Sequence, residues 1–251
     1  VWSWFAKLWI TLCAPLTIMA QGFDWVPTYM LPFRIPTVYG ITGVQLDAVT
    51  LHDTRAVTQG TLVCASYGDG TGVQGKFTVG GEWWAQADVS LALLLNVGWL
   101  RTTHYASGTV APLVTGEMLR TEYVLSTSRL LVSVQVAAKK RLLLRYGWLR
   151  AGIELGTYLA PSVEQRERVL EPSWYMFATT PPSQQVVIAS GTDNRTNLHG
   201  SVVLSIGYDL SVRNGLYVLP SVEAALPLTL TAGDFRLWRI GISIPIAFSL
   251  P

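Results

Sequence analysis

Residues 235–250 alternate strictly in side-chain size. One face carries Trp238, Ile240, Ile242, Ile244, Ile246, Phe248 and Leu250; the other carries Arg239, Gly241, Ser243, Pro245, Ala247 and Ser249. A period of two is the mark of a strand whose two faces meet different surroundings. Here the bulky face has no charge, and the other face is small or charged. The pattern recurs at 88–100, 201–210 and 216–226, and in weaker form at 38–51, 73–84, 122–137 and 146–159. Each segment is long enough to cross a bilayer, which takes about 9–11 tilted residues. The expected fold is all-β, an eight-stranded antiparallel up-and-down transmembrane β-barrel occupying residues 37–251.

Two spanning or enclosing alternatives are weighed against it. Half of the chain is hydrophobic and only 14% is charged, against about 25% in a typical soluble domain. Past the N-terminus no apolar run reaches the ~18 residues of a spanning helix. The closed barrel is then the one way to pair every backbone group in lipid. A soluble eight-stranded barrel would place its large apolar side chains inward. In this chain the small residues share the charged face: Thr78, Gly80, Ser90, Ala92, Gly98, Ser133, Gly152, Gly156, Ser205, Gly207, Ser221, Gly241, Ser243 and Ala247. A narrow lumen needs small residues, so this face is read as the inside.

Enclosed charges need partners. The inward set is Asp47, Lys76, Glu82, Arg129, Arg150, Glu154, Asp209, Glu223 and Arg239. A turn centred near 231 sets Glu223 opposite Arg239, and one centred between 141 and 142 sets Arg129 opposite Glu154. Cross-strand neighbours on one face lie about 5 Å apart, so these pairs, with Lys76 and Glu82, are expected to form a lumen salt-bridge network. Aromatic girdles are expected at both membrane surfaces. Trp83, Trp84, Tyr208 and Phe248 stand near the short-turn end, and Trp99, Tyr158 and Trp238 near the long-loop end.

The connections also sort by length. Short ones fall at 85–87, 138–145 and 211–215. Long ones fall near 52–72 and 160–197, with an intermediate loop near 103–121 and a short one near 227–234. Short turns on one side and long loops on the other is the outer-membrane arrangement, and an even strand count puts both termini on the periplasmic side. Before the barrel, Lys7 leads an apolar stretch ending at Ala20, read as a secretory signal over 1–20 cleaved before Gln21. Residues 21–36, with Pro27, Pro32 and Pro36, are read as a periplasmic lead-in. After cleavage Cys64 is the remaining cysteine, so no internal disulfide is expected.

The chain resembles the small outer-membrane β-barrel superfamily that includes the OmpA transmembrane domain, in particular barrels of the Bacteroidota and Chlorobiota type. The residues that carry the resemblance are Tyr67-Gly68-Asp69-Gly70-Thr71-Gly72 leading into Gly80-Gly81-Glu82, then Leu93 to Trp99, Leu219-Pro220-Ser221-Val222-Glu223, and Arg239-Ile240-Gly241-Ile242-Ser243-Ile244. The resemblance implies outer-membrane lipid and lipopolysaccharide as surroundings. It also implies the barrel-assembly machinery as a partner in biogenesis, which would read the last strand ending at Phe248. Fold does not fix function.

Chemistry-bearing residues are few. His52, His104 and His199 fall in loops or at strand ends and are read as solvated or interfacial. His104 with Ser107, or His199 with Ser201, would be the pairs of a lipid-modifying enzyme, but no third group accompanies either. No His/Cys spacing suits zinc, Gly68-x-Gly70-x-Gly72 reads as a flexible turn rather than a phosphate loop, and no cofactor is expected. A net charge of +2 without a basic stripe points away from nucleic acid. The reading is a non-enzymatic outer-membrane barrel with an envelope or surface-interaction role; the alternatives are a narrow channel or carrier and a lipid-modifying enzyme. The segment 160–197, with Glu164, Arg166, Glu167, Arg168, Pro172, Trp174, Tyr175 and Phe177, is the expected surface for an unknown partner.

Overall fold

The computed structural model describes residues 37–52, 67–86, 88–142, 146–192, 197–213, 215–228 and 236–250. The expected signal and lead-in (1–36), Cys64 and the loop tip near 229–235 lie outside them.

Among the described residues eleven strands run in chain order: β1 (Thr37–His52), β2 (Gly70–Trp84), β3 (Val89–Pro112), β4 (Met118–Arg141), β5 (Gly147–Glu171), β6 (Gln185–Thr192), β7 (Asn197–Tyr208), β8 (Leu210–Arg213), β9 (Leu216–Val218), β10 (Ser221–Pro227) and β11 (Arg236–Ser249). All pairings are antiparallel. The order β1-β2-β3-β4-β5-β7-β10-β11 closes because β11 pairs back onto β1, from Tyr39↔Ser249 to His52↔Arg236. β8 and β9 are continuations of β7 and β10. β9 pairs β11 at Ile246↔Val218 and β10 pairs it at Ser221↔Ser243, in one register. The break falls at Leu219 and Pro220, where proline offers no N–H to the ladder. The ring therefore has eight staves.

Side chains alternate as the sequence pattern requires. Val44, Leu46, Phe77, Leu93, Leu95, Val136, Ile153, Leu155, Ile206, Ile240, Ile242 and Ile244 point out and are exposed. Gln45, Asp47, Lys76, Glu82, Asn96, Ser133, Glu154, Ser201 and Glu223 point in and are buried. A soluble fold has the opposite arrangement, so the wall is built for lipid.

Two expected loops are strands. β3, β4 and β5 have 24, 24 and 25 residues, against 16 and 15 for β1 and β2. The intermediate loop at 103–121 is the far half of the β3–β4 hairpin, turning at 113–117. Much of the long segment 160–197 is the end of β5, with β6 paired beside it from Ser162↔Thr192 to Arg168↔Gln185; the irregular part is 172–184. The stretch beyond Thr103 on β3 adds nine residues, about 30 Å along the strand. The four strands form a sheet raised past the ring. On β3 the in–out alternation holds to Ala106 and is lost from Ser107 to Pro112, where successive residues are exposed or half-buried, so the pattern no longer marks a strand there.

The glycine-rich run is also a strand rather than a free turn. A Cβ at Gly70 would collide with the His104 ring, and one at Gly72 with the backbone of Arg101 and Thr102. Gly80 likewise has no room for a Cβ against the Leu93 carbonyl and Leu94, whereas Gly75, on the outer face, has open space. Overpacking such a site costs about 1–3 kcal/mol. Gly80→Val is therefore expected to lower the temperature at which the folded, fast-migrating band is lost on a semi-native gel. Gly75→Val should leave it unchanged, and equal behaviour of the two would refute the assigned faces.

Candidate functional site

The lumen is occupied along its length, in three layers. In the middle layer Lys76 Nζ lies 3.2 Å from Glu223 Oε1 and 3.6 Å from Glu154 Oε2. Arg239 Nη2 donates to the same Glu154 oxygen and, at 3.3 Å, to Ser201 Oγ. Ser133 Oγ donates to Glu154 Oε1 at 2.5 Å. Gln45 Nε2 links Asp47 (2.7 Å) to Glu223 (2.9 Å). Asn96 is held between Thr78 and Ser133 at 2.7 and 3.3 Å.

The short-turn end is closed by cations and aromatic rings. Lys139 Nζ lies 2.7 Å from Asp209 Oδ1 and 3.6 Å from Glu82 Oε1. It sits 5.2 Å from the Trp84 ring centroid and 5.0 Å from that of Trp148. Arg141 covers the Trp84 ring at 4.3 Å and Arg150 the Trp148 ring at 4.8 Å, cation–π geometry in which desolvation strengthens the attraction. Ser90 donates to Glu82. The Tyr39 and Tyr217 rings meet edge to face, 6.0 Å apart.

Toward the long loops the layer is apolar: Val49, Leu51, Leu100, Leu131, Tyr158 and Leu237 pack together. Above it come Tyr67, Ala106 and Leu125, with Gln165 Nε2 donating to Tyr67 Oη at 2.7 Å and Thr102 bonded to Thr127 at 2.7 Å.

Several sequence-derived placements change. Glu223 stands opposite Gly241 and Arg239 opposite Ala225; Glu154 stands opposite Gln135. Both turns lie further along the chain than expected, so neither Glu223–Arg239 nor Arg129–Glu154 is a cross-strand pair. Arg129 falls at the irregularity between the Ser128 and Leu130 pairings. The ion pairs run across the lumen instead, from β11 to β5 and from β2 to β5 and β10. Long side chains in a bore this narrow reach the opposite wall. Trp84 and Tyr158 are fully buried inside and belong to no girdle. Trp83, Trp99, Tyr208, Trp238 and Phe248 face outward and are exposed.

Lys139 was hidden by the expected turn at 138–145. β4 runs on to Arg141, and the alternation Ser133, Gln135, Ala137, Lys139 continues inward. With it, the buried charges number five acids (Asp47, Glu82, Glu154, Asp209, Glu223) and five bases (Lys76, Arg129, Lys139, Arg150, Arg239) among the described residues.

The histidines are not all solvated. His52 is exposed, its Nδ1 2.6 Å from Asp69. His104 is buried, with Nδ1 3.1 Å from the Gly68 carbonyl and Nε2 3.4 Å from Thr102 Oγ1, while Ser107 faces out. His199 is buried with its ring 5.5 Å from that of Tyr158, and Ser201 is engaged by Arg239. Among the described residues no group of His, Cys, Asp and Glu is placed to hold a metal ion.

The raised sheet carries its charges on the two central strands. Arg168 pairs with Glu122 at 2.5 Å, Arg166 with Glu164 at 2.6 Å and Arg120 with Glu171 at 3.8 Å. Its tip is apolar. Val114, Met118, Leu170, Trp174 and Met176 are exposed there. Trp174 Nε1 donates to Glu117 at 2.9 Å, fastening the 172–184 segment to the β3–β4 turn. Trp174, Tyr175 and Phe177 follow one another at ring spacings of 6.2 and 6.0 Å.

A closed ladder, an apolar wall and a charged, filled lumen define a transmembrane β-barrel of the small eight-stranded class. Among solved structures the chain is similar to Neisserial surface protein A (TM-score 0.38, 10% identity, covering 84% of this chain and 97% of that one). It is also similar to Ail, the attachment invasion locus protein of Yersinia pestis, in complex with the heparin analogue sucrose octasulfate (TM-score 0.36, 9% identity, 85% and 100% covered). A third is the outer membrane protease OmpT of Escherichia coli (TM-score 0.38, 8% identity, 85% and 97% covered). No protein-family model and no curated protein matches the sequence.

Glu154 is the centre of the lumen network, holding Arg239, Lys76 and Ser133. Breaking a buried pair by removing one partner costs about 3–5 kcal/mol. Glu154→Leu is expected to show that loss in urea unfolding from lipid vesicles. Glu223→Leu should lose less, because Lys76 keeps Glu154. Wild-type stability in Glu154→Leu would show that the network is dispensable.

Proposed function

We propose that the chain is a non-enzymatic outer-membrane barrel, its termini periplasmic, that holds a rigid sheet at the cell surface for docking a protein partner. The observation that carries this reading is the raised β3–β6 sheet with its exposed apolar tip. Exposed apolar patches on a protein surface mark interaction sites, and Trp, Tyr, Phe and Met are the residue types enriched at protein interfaces. The tip stands about 30 Å of strand beyond the ring, so its apolar residues serve no contact with the bilayer that the ring spans. The layered lumen supports a structural barrel over a channel, since side chains fill an eight-stranded interior.

Cells displaying the full chain are expected to adhere to surfaces coated with extracellular proteins. Val114→Ser/Trp174→Ser/Met176→Ser should reduce adhesion by about 30-fold or more, the equivalent of one strong interface hot spot. The barrel's heat-modifiable gel shift should be unchanged. Adhesion that survives the triple substitution removes the tip from the function. In planar bilayers the purified protein is expected to give no stable discrete conductance; such steps would restore the channel reading.

A further inference from the structure

Among the described residues, the short-turn end of the lumen sets three cations, Lys139, Arg141 and Arg150, against two carboxylates, Glu82 and Asp209. Lys139 and Arg141 share Asp209, and Lys139 also reaches Glu82. Arg150 is left over. It is buried, and among the described residues no carboxylate pairs with it. Its guanidinium rests on the Trp148 ring, and its Nε and Nη2 meet no hydrogen-bond acceptor of the protein. Two groups beside it are in the same condition. Ser205 stands directly opposite Arg150 on β7, and Trp148 precedes Arg150 by two residues on the same face of β5. Ser205 Oγ and Trp148 Nε1 are buried and without a protein partner. The Trp148 ring lies over Gly207, two residues along from Ser205, where a Cβ would collide with Trp148 Cζ2. One patch of inner wall between β5 and β7 thus carries all three groups.

We propose that Arg150, Ser205 and Trp148 bind a small monovalent inorganic anion of the halide class inside the short-turn end of the lumen. A buried guanidinium without a counter-ion carries a desolvation cost that a ring face offsets only in part. Guanidinium and indole N–H groups only donate, and a serine hydroxyl donates as readily as it accepts. A patch of unbonded donors calls for an acceptor, since buried polar groups find a partner in protein, water or ion. The charge count says which kind. Three cations against two carboxylates lack one negative charge, so a monovalent ion restores balance and a dianion such as phosphate reverses the excess. Water accepts from the same donors but leaves the positive charge uncompensated. The Trp148 ring, seated on Gly207, limits the occupant to a compact ion.

The site lies inside the barrel and not at the docking tip, so either proposal can fail without the other. The experiment is thermal unfolding of the full chain in zwitterionic detergent micelles, followed by tryptophan fluorescence. The probes are sodium chloride, sodium bromide and sodium gluconate at one ionic strength, which holds general screening constant; gluconate is too bulky for the seat. Wild type is expected to melt higher in chloride and bromide than in gluconate, with a rise that follows mass action for one site. Ser205→Ala should raise the chloride concentration for half the effect about tenfold, the loss of one hydrogen bond to a charged group. Arg150→Met should melt alike in chloride and gluconate. In gluconate it should melt no lower than wild type, because it removes an uncompensated charge. Arg166→Ala, on the raised sheet, should keep the wild-type response, and the heat-modifiable shift reports that each variant is folded. Should Arg150→Met fail to fold, Ser205→Ala decides alone. Equal melting of wild type in chloride and gluconate means that water alone fills the site and overturns the proposal. A halide response that persists in Arg150→Met, or an unchanged half-effect concentration in Ser205→Ala, overturns it as well.

Discussion

In hydrocarbon an unpaired amide has no water to turn to, and each one costs several kcal/mol. The β1–β11 ladder answers that constraint for the whole chain. It runs through fourteen residue pairs, from Tyr39↔Ser249 to His52↔Arg236, and leaves the ring without an edge. Closure at eight staves then fixes the bore. A bore so narrow dictates glycine, serine and alanine wherever the wall comes close, and it brings side chains from opposite walls within reach of each other. The lumen network is thus a result of closure rather than an independent feature. Arg239 on the closing strand meets Glu154 on the far wall, a pairing that only a closed ring can bring about.

The layers divide the work of filling that bore. Apolar residues near the long loops need no partners. Buried charges do, and ten of them balance among the described residues. A buried ion pair is weak support for net stability. Its more secure effect here is on register: a one-residue slip of any stave would turn its charges into lipid and its isoleucines into the lumen.

Strand positions, faces and ring size were legible in the sequence because a bilayer and a narrow lumen impose opposite demands on alternate residues. Ile240, Ile242 and Ile244 against Arg239, Gly241 and Ser243 leave little choice. Partner identities were not legible, because they depend on turn centres, and a shift of one or a few residues moves Glu223 from Arg239 to Gly241. The same dependence hid Lys139, whose place in a supposed turn concealed the continuing alternation. The raised sheet is hard to read from the sequence for a different reason: past Ala106 on β3 the successive residues Ser107, Gly108 and Thr109 are all at least partly exposed, and the periodicity fades. His104 and His199 were misplaced with it, since strand ends in the sequence were strand interiors in the fold.

β3 and β4 pass from the ring to the tip as single strands, and the register between them shifts only at Ser107/Val110. Mechanically this makes the projection a cantilever clamped in the wall rather than a tether on a hinge. Load applied at Trp174 or Val114 is carried along backbone hydrogen bonds into the staves, sheared across many bonds at once. Anything gripping the tip would therefore pull on the barrel as a unit, and detachment would be set by the contact at the tip and not by unravelling of the post beneath it.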